Sequence, residues 1–154
     1  MKKLALVSLA VLLAIAGVSA RQSPSPDATR ALVKSYLDIQ GHLAADRFED
    51  VKAPARTLTA QAAALGKAGE AIAKAGTAMQ SAADIAAARD AFGPLSDAMI
   101  AHVQASGSKD VAAELRIAYC PMNKRSWLQR EEQVRNPYFG AKMLTCGQLK
   151  PAKP

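Results

Sequence analysis

The sequence offers few side chains for metal or catalytic chemistry, and that shortage excludes several kinds of site. It holds two cysteines among 154 residues, so it can form one intramolecular disulfide at most and its core must provide most of the stability. Its two histidines, His42 and His102, are not near either cysteine in the chain, and no Ser-His-Asp or Cys-His arrangement is visible. We therefore expect a protein that is not an enzyme, and a closed four-ligand zinc site would be incomplete.

Long apolar runs are also scarce, because only the first 20 residues contain one. Lys2 and Lys3 precede an apolar run over residues 4–18, and a small-residue cleavage site follows. The run is shorter than the roughly 20 residues that span a membrane comfortably. The pattern predicts a signal peptide over residues 1–20, cleaved near Ala20. We expect a periplasmic or secreted protein with no stable membrane insertion.

The positive charge lacks the clustering that nucleic-acid binding requires. The formal charge of +7 falls to +5 once Lys2 and Lys3 are removed with the signal peptide. The remaining basic residues are scattered and interleaved with acidic ones, as in the run from Arg125 to Arg135. No basic run alternates with aromatic residues as in proteins that bind single strands. The sequence therefore predicts no nucleic-acid partner.

The rest of the chain predicts one domain between a flexible tether and a tail. The tether covers residues 21–26, the domain residues 27–149 and the tail residues 150–154. A Cys/Met motif occupies residues 113–149 of the domain. The predicted fold class is mainly α, an up-and-down four-helix bundle with a small C-terminal β ribbon.

Apolar residues at three- and four-residue spacing predict the helices. The first helix is expected to begin at a cap on Asp27 and to run to about Ala45, and the last to begin at a cap on Asp84. A weak, alanine-rich helix passes through Ile72 and Met79. The expected core positions of the other helices are Leu32, Tyr36, Ile39 and Leu43; Phe48, Val51, Ala55, Leu58, Ala62 and Leu65; and Ile85, Ala88, Phe92, Leu95, Met99 and Val103.

After Gly107 the pattern changes from helical spacing to alternation. Residues 114–119 predict a strand, and residues 143–146 a second, shorter one. A loop or single helical turn with Trp127 and Leu128 is expected between them. The alternation places Leu115, Ile117 and Tyr119 on one side of the first strand.

Four sulfur atoms fall within this last third of the chain and form a candidate metal site. The ligands would be Cys120, Met122, Met143 and Cys146, a thiolate and thioether set that favours Cu(I) over hard cations. In a strand Cys120 and Met122 share a face, whereas Met143 needs a turn to approach Cys146. Cu(I) is the one cofactor that this set suggests.

The same two cysteines can instead form a disulfide, which an oxidising compartment favours. The bond would close a loop of 27 residues, from Cys120 to Cys146, and would stabilise the fold by about 3.5 kcal/mol. A reduced, metal-loaded form and an oxidised, metal-free form can also be alternatives of one site. A second metal site on one face of a helix, at Met99 and His102, remains open as well.

A dense motif lies between Tyr119 and Gly147. Its residues are Cys120-Pro121-Met122, Trp127-Leu128, Asn136-Pro137-Tyr138-Phe139-Gly140, Lys142-Met143-Leu144 and Cys146-Gly147. With Tyr36-Leu37 and residues 91–96, the motif resembles a bacterial domain family of unknown function. That family occurs as small exported proteins and fused to the periplasmic adaptor subunits of copper and silver efflux pumps. The resemblance implies a periplasmic helical domain with a link to heavy-metal handling.

Two functions are therefore expected from the sequence. The first is a periplasmic accessory protein that binds Cu(I) for copper tolerance or efflux. Its partners would be the metal ion and an efflux adaptor or other copper-handling protein. The alternative is a structural or interaction module, stapled by a Cys120–Cys146 disulfide, that docks on a partner such as an efflux adaptor.

Overall fold

A computed structural model describes residues 24–152 and shows a mainly helical fold with a small antiparallel sheet at its C-terminal end. The predicted fold class is confirmed. The predicted signal peptide (1–20), residues 21–23 of the tether and residues 153–154 of the tail lie outside the described residues. None of the described helices combines the length and the apolar character needed to cross a membrane.

The described residues contain five α-helices and three strands. Each of the first four helices packs against the next one, and α4 returns to α1, which closes the bundle. The short α5 contacts α1 and α4. The bounds are α1 Pro26–Ala44, α2 Lys52–Ala64, α3 Glu70–Gln80, α4 Ile85–Ala105, α5 Lys109–Ala113, β1 Arg116–Cys120, β2 Arg125–Gln129 and β3 Gln148–Pro151, with 3₁₀ segments at Glu49–Val51, Gly66–Gly69 and Gly140–Met143.

One of the two predicted helix caps is correct and the other is displaced. Asp84 caps α4 as expected, with its carboxylate accepting a hydrogen bond from the amide of Ala87 at 2.8 Å. The cap of α1 is Ser25, whose hydroxyl accepts from the amide of Ala28, and Pro26 takes the first helical position. Asp27 lies in the first turn instead, where its charge favours the helix dipole. Residues 25 and 26 of the predicted tether therefore belong to the start of α1.

The core follows the predicted apolar spacing closely. All of the expected positions are buried except Phe48, Leu65 and Ile85, which are half-buried against the core. Tyr36 and Phe92 stack within it at 5.2 Å between ring centroids. Burial raises the pKa of Tyr36 far above its ordinary value, so its hydroxyl stays neutral.

The Tyr36 hydroxyl joins the bundle to the sheet. It forms a hydrogen bond with the Ser96 hydroxyl on α4 at 2.7 Å and accepts one from the amide of Leu128 on β2 at 3.1 Å. All three groups are buried. Because buried polar groups are costly when unpaired, this arrangement fixes how β2 lies on the bundle.

The sheet differs from the predicted two-stranded ribbon. Its strand order is β2-β1-β3, with both neighbours antiparallel to β1. Trp127 and Leu128, expected in a loop or helical turn, lie in β2. Lys150 and Pro151, expected in the tail, belong to β3.

The strand predicted over residues 143–146 is wrong. Met143 ends a 3₁₀ segment, and a turn follows it before β3 begins. Gly140 starts this segment with a φ of +56°, a conformation that favours glycine over other residues. Asp46 then accepts a hydrogen bond from the amide of Ala141 at 2.9 Å, which turns the chain away from an extended path.

The apolar side predicted for the first strand, with Ile117 and Tyr119, is not the buried face of β1. Ala118 and Cys120 are fully buried, whereas Tyr119 is 40% exposed. Ala118 lies opposite Trp127, the largest of the fully buried side chains, in the β1–β2 register. Cross-strand partners share a face of the sheet. The small residue therefore turns inward to accommodate the indole.

Candidate functional site

The two cysteines meet where β1 ends and β3 is about to begin. Cys120 is the last residue of β1, and Cys146 precedes β3 by two residues. The antiparallel pairing of Tyr119 with Gln148 brings these chain ends together, and the two Sγ atoms lie 3.2 Å apart. Both thiols are free, with Cys120 buried and Cys146 half-buried. The predicted meeting of the two thiols is confirmed.

Neither predicted methionine ligand lies in this thiol–thiol contact. Met122 is in the turn that joins β1 to β2, and 66% of it is exposed. Met143 is half-buried and is tied to Cys146 through the backbone, its carbonyl accepting from the Cys146 amide at 3.0 Å. Met122 is therefore an exposed side chain two residues after the buried Cys120.

The two thiols differ in acidity. Burial by itself raises the pKa of Cys120, but a hydrogen bond from Cys146 and bonds from the amides of Asn123, Met122 and the Asn136 side chain outweigh it. The pKa of Cys120 is consequently lowered, whereas that of Cys146 is raised, chiefly by its hydrogen bond with Cys120. The pair therefore ionises first at Cys120, and the thiol of Cys146 supports that charge.

Asn136 holds the segment that carries Cys146. It is fully buried, and its side-chain amide donates to the carbonyl of Cys146 at 2.8 Å. Its side-chain oxygen accepts from the amide of Tyr138 at 2.9 Å, and its own amide donates to the carbonyl of Leu144 at 2.7 Å. One side chain thus links the loop before the 3₁₀ segment to the residues after it.

The loop around Asn136 is also fastened to the helices. Gln40 on α1 donates to the carbonyl of Arg135 at 2.7 Å, and Arg89 on α4 donates to the carbonyl of Pro137 at 2.9 Å. Arg89 also pairs with Asp46. The Asp46 carboxylate has a lowered pKa, chiefly through its hydrogen bond from Ala141 and then through Arg89. Hydrogen bonds from α1 and α4 to the loop around Asn136 therefore fix the position of Cys146 indirectly.

Aromatic side chains form the core under the sheet. Trp127 contacts Tyr138 edge-on at 5.8 Å, and Tyr138 contacts Phe92 of α4 at 5.6 Å between ring centroids. The Tyr138 hydroxyl donates to the carbonyl of Ser126 at 2.8 Å. Gly147 lies against the Trp127 ring, where an added Cβ would make a tight contact of 3.1 Å, and its φ of +151° is one that other residues rarely adopt. The residue after Cys146 is thereby kept close to the core.

The second candidate metal site, at Met99 and His102, gains no support from its contacts. Met99 is fully buried in the core. The His102 ring lies 3.4 Å from the Thr29 hydroxyl of α1 through Nε2. This contact explains His102 as a packed polar group on the face of α4 that meets α1. Within residues 24–152 no group of three or more His, Cys, Asp or Glu side chains is arranged to hold a metal ion.

His102 should make the fold less stable as the pH falls below neutral. Burial lowers the pKa of His102, so the unfolded chain takes up a proton near pH 6.5 while the folded chain does not. The unfolded state then binds more protons, and the free energy of unfolding decreases as the pH falls from 7 to 5. Urea unfolding at several pH values should show a smaller decrease for His102→Gln than for the wild type. Equal pH dependence in the two proteins would contradict this assignment.

Sequence reasoning found the sulfur atoms but missed the residues that position them. The Asn136-Pro137 pair predicts an extended residue followed by a turn, and that pattern gives no sign that the Asn136 side chain is buried. Asp46 and Arg89 lie 43 residues apart in the chain and gave no local signal. The one available hint was the position of Asn136 directly before Pro137-Tyr138, an apolar stretch that would bury a polar neighbour.

Residues 32–111 match a sequence family described as "Protein of unknown function (DUF3347)". The match covers half of the chain, and the protein belongs to this family. The matched region runs from α1 to α5 and ends before β1, so it includes the bundle but neither cysteine. No curated protein and no solved structure matches the chain.

Proposed function

We propose that this protein binds a soft metal ion, Cu(I) in the first place, as cargo through Cys120 and Cys146. The observation that carries the proposal is the 3.2 Å contact between two free thiols of unequal acidity. A thiol pair at this distance needs only small side-chain rotations to bind one ion between its sulfur atoms. Thiolate ligands favour Cu(I), and two of them leave a closed zinc site incomplete.

Met122 supplies the third sulfur in this proposal. It lies two residues after Cys120 and is largely exposed, so its thioether can contact the ion as it arrives or leaves. Met143 is the weaker candidate, because it is half-buried and held by the backbone of Cys146. Exposed soft ligands beside a buried thiolate suit a protein that passes its metal on.

The biological role is proposed from the predicted signal peptide and from the resemblance of the cysteine motif to bacterial exported domains. We place the protein in the periplasm or outside the cell, as a non-enzymatic accessory of copper tolerance or efflux. Its partner would be an efflux adaptor or another copper-handling protein. These assignments go beyond the shared family, whose function is unknown.

A competition titration with a coloured Cu(I) chelator, on reduced protein without oxygen, tests the metal proposal. We expect one equivalent of Cu(I) to bind, and Cys120→Ser or Cys146→Ser to weaken binding at least tenfold. Met122→Leu should weaken it by a smaller factor, and Met143→Leu, at the weaker candidate ligand, by the smallest. Wild-type binding no tighter than that of the double Cys→Ser variant would refute the proposal.

A second function rests on the same contact. If the thiols oxidise, the Cys120–Cys146 bond staples the C-terminal segment, and the protein acts as an interaction module that docks on a partner. Counting free thiols in protein isolated without reductant distinguishes the two forms. A fully oxidised population that binds no Cu(I) after reduction would favour the module.

A further inference from the structure

A cavity of about 350 Å³ lies between α4, the β1–β2 turn and the loop after Asn136. Its size falls at the lower end of the range for small-molecule sites. The lining residues are Arg89, Asp90, Asn123, Arg125, Tyr138 and Phe139. The walls thus combine two aromatic rings with charged groups of both signs.

Arg125 is the unusual member of this group. Its guanidinium lies directly against Gly93 of α4, where even a Cβ atom would collide with it. Within residues 24–152 it makes no ion pair and no side-chain hydrogen bond, whereas Arg30, Arg89 and Arg130 are each paired with carboxylates. The missing side chain at position 93 therefore leaves space for a half-buried guanidinium that no carboxylate of the described residues approaches within 4 Å.

The chemistry of the Arg125 guanidinium indicates the kind of ligand. A guanidinium offers planar, paired donors that match the two oxygens of a carboxylate, and it keeps its charge at all physiological pH values. Asn123 and the ring of Phe139 border the same space. We propose that this cavity binds a small-molecule carboxylate, with Arg125 as the residue that holds it.

Asp90 bears on which carboxylate is bound. It lines the cavity and makes no ion pair within the described part of the chain, so it lies more than 4 Å from the charged nitrogens of Arg125. A simple carboxylate would meet repulsion from Asp90. An α-amino acid would place its ammonium group toward Asp90 and its carboxylate toward Arg125. A simple carboxylate and an α-amino acid would therefore both contact Arg125, but Asp90 would repel the first and attract the ammonium group of the second.

The cavity borders the cysteine pair without including it. Asn123 lines the cavity while its backbone amide bonds to the thiolate of Cys120, and the charges of both Arg125 and Cys120 act on the Tyr138 hydroxyl. This carboxylate site is separate from the proposed metal site. Its test uses reduced, metal-free protein, so its outcome does not depend on Cu(I) binding.

Titration of ¹⁵N-labelled protein with sodium acetate and, separately, with glycine tests the site. We expect saturable shifts of the amide signals of Asn123 and Phe139. Arg125→Gln should weaken binding at least tenfold, and Arg125→Lys should weaken it as well, because lysine keeps the charge but loses the paired donors. Arg116→Gln, a change at the opposite end of the hairpin, is the matched control and should leave binding unchanged.

The Asp90→Asn variant distinguishes a site for an α-amino acid from a site for a simple carboxylate. Weaker glycine binding and stronger acetate binding in this variant assign the site to an amino acid. Stronger binding of both ligands assigns it to a simple carboxylate. Shifts that do not saturate with either ligand, or that persist unchanged in Arg125→Gln and Arg125→Lys, would overturn the proposal. The unfolding midpoint of each variant shows whether it has kept its fold.

Discussion

Oxidation of the reduced protein to a Cys120–Cys146 disulfide is expected to raise the free energy of unfolding by about 3.5 kcal/mol. The bond closes a loop of 27 residues, and the lost chain entropy destabilises the unfolded state. The folded state should need little rearrangement, because the two Sγ atoms are already 3.2 Å apart and the 3₁₀ segment and β3 hold the chain on either side. Guanidinium unfolding of both forms, with free thiols counted in each sample, measures the difference.

Cys146→Ser is the matched control for this experiment. The variant leaves Cys120 in place and cannot form the intramolecular bond, so oxidant should not change its unfolding curve. An oxidised wild type that is no more stable than the reduced one would contradict the prediction. It would also remove the main support for the disulfide-stapled module.

Replacement of Asn136 by alanine is expected to lower the free energy of unfolding by about 3 kcal/mol. The change removes the partners of the Cys146 carbonyl and the Tyr138 amide, and each buried group left unpaired costs about 1–3 kcal/mol. The segment with Cys146 would also lose its link to the preceding loop. We therefore expect slower formation of the disulfide in this variant, measured by the disappearance of free thiols under a fixed oxidant concentration.

Asn123→Ala provides the comparison, because its half-buried side chain accepts a single hydrogen bond, from the amide of Arg125 at 3.2 Å. Its cost should stay below about 1 kcal/mol. Asn136→Asp keeps an acceptor for Tyr138 but places a buried carboxylate against the Cys146 carbonyl, so near neutral pH it should destabilise the fold at least as much as Asn136→Ala. If Asn136→Ala and Asn123→Ala were equally stable, Asn136 would not hold the loop as described.

The helices of the bundle could be predicted because the residue spacing that identifies each helix lies within that helix. Apolar residues three and four positions apart identify buried helix faces without knowledge of the partner helix, and those of α1, α2 and α4 were assigned correctly. The cap of α1 was displaced because both Ser25 and Asp27 are good cap residues. Pro26 decides between them, since its fixed φ suits the first helical position.

The sheet was harder to predict because its strands are four or five residues long. Alternation over so few residues does not identify the buried face. In β1 the alternation placed Ile117 and Tyr119 on one side, but the volume of Trp127 on the neighbouring strand makes the side with Ala118 the buried one. Tertiary packing thus reversed the local pattern.

The candidate site shows the same division between local and distant information. The sequence shows Cys120 and Cys146 and their spacing directly. Their contact results from the pairing of β1 with β3. The position of Arg125, which has no ion pair within residues 24–152, could not be predicted, because it depends on the absence of a side chain at Gly93, 32 positions earlier in the chain. Only the folded backbone brings these two residues together.

The hydrogen bonds of Tyr36 affect how the protein unfolds. Its hydroxyl forms hydrogen bonds with Ser96 of α4 and with the backbone of β2. Separation of the sheet from the helical bundle would therefore leave buried polar groups unpaired on both sides. Melting should accordingly be a single all-or-none event, in which the last third of the chain cannot detach while the helices survive. Any cargo held between the two sulfur atoms would be released with the whole fold, in one step.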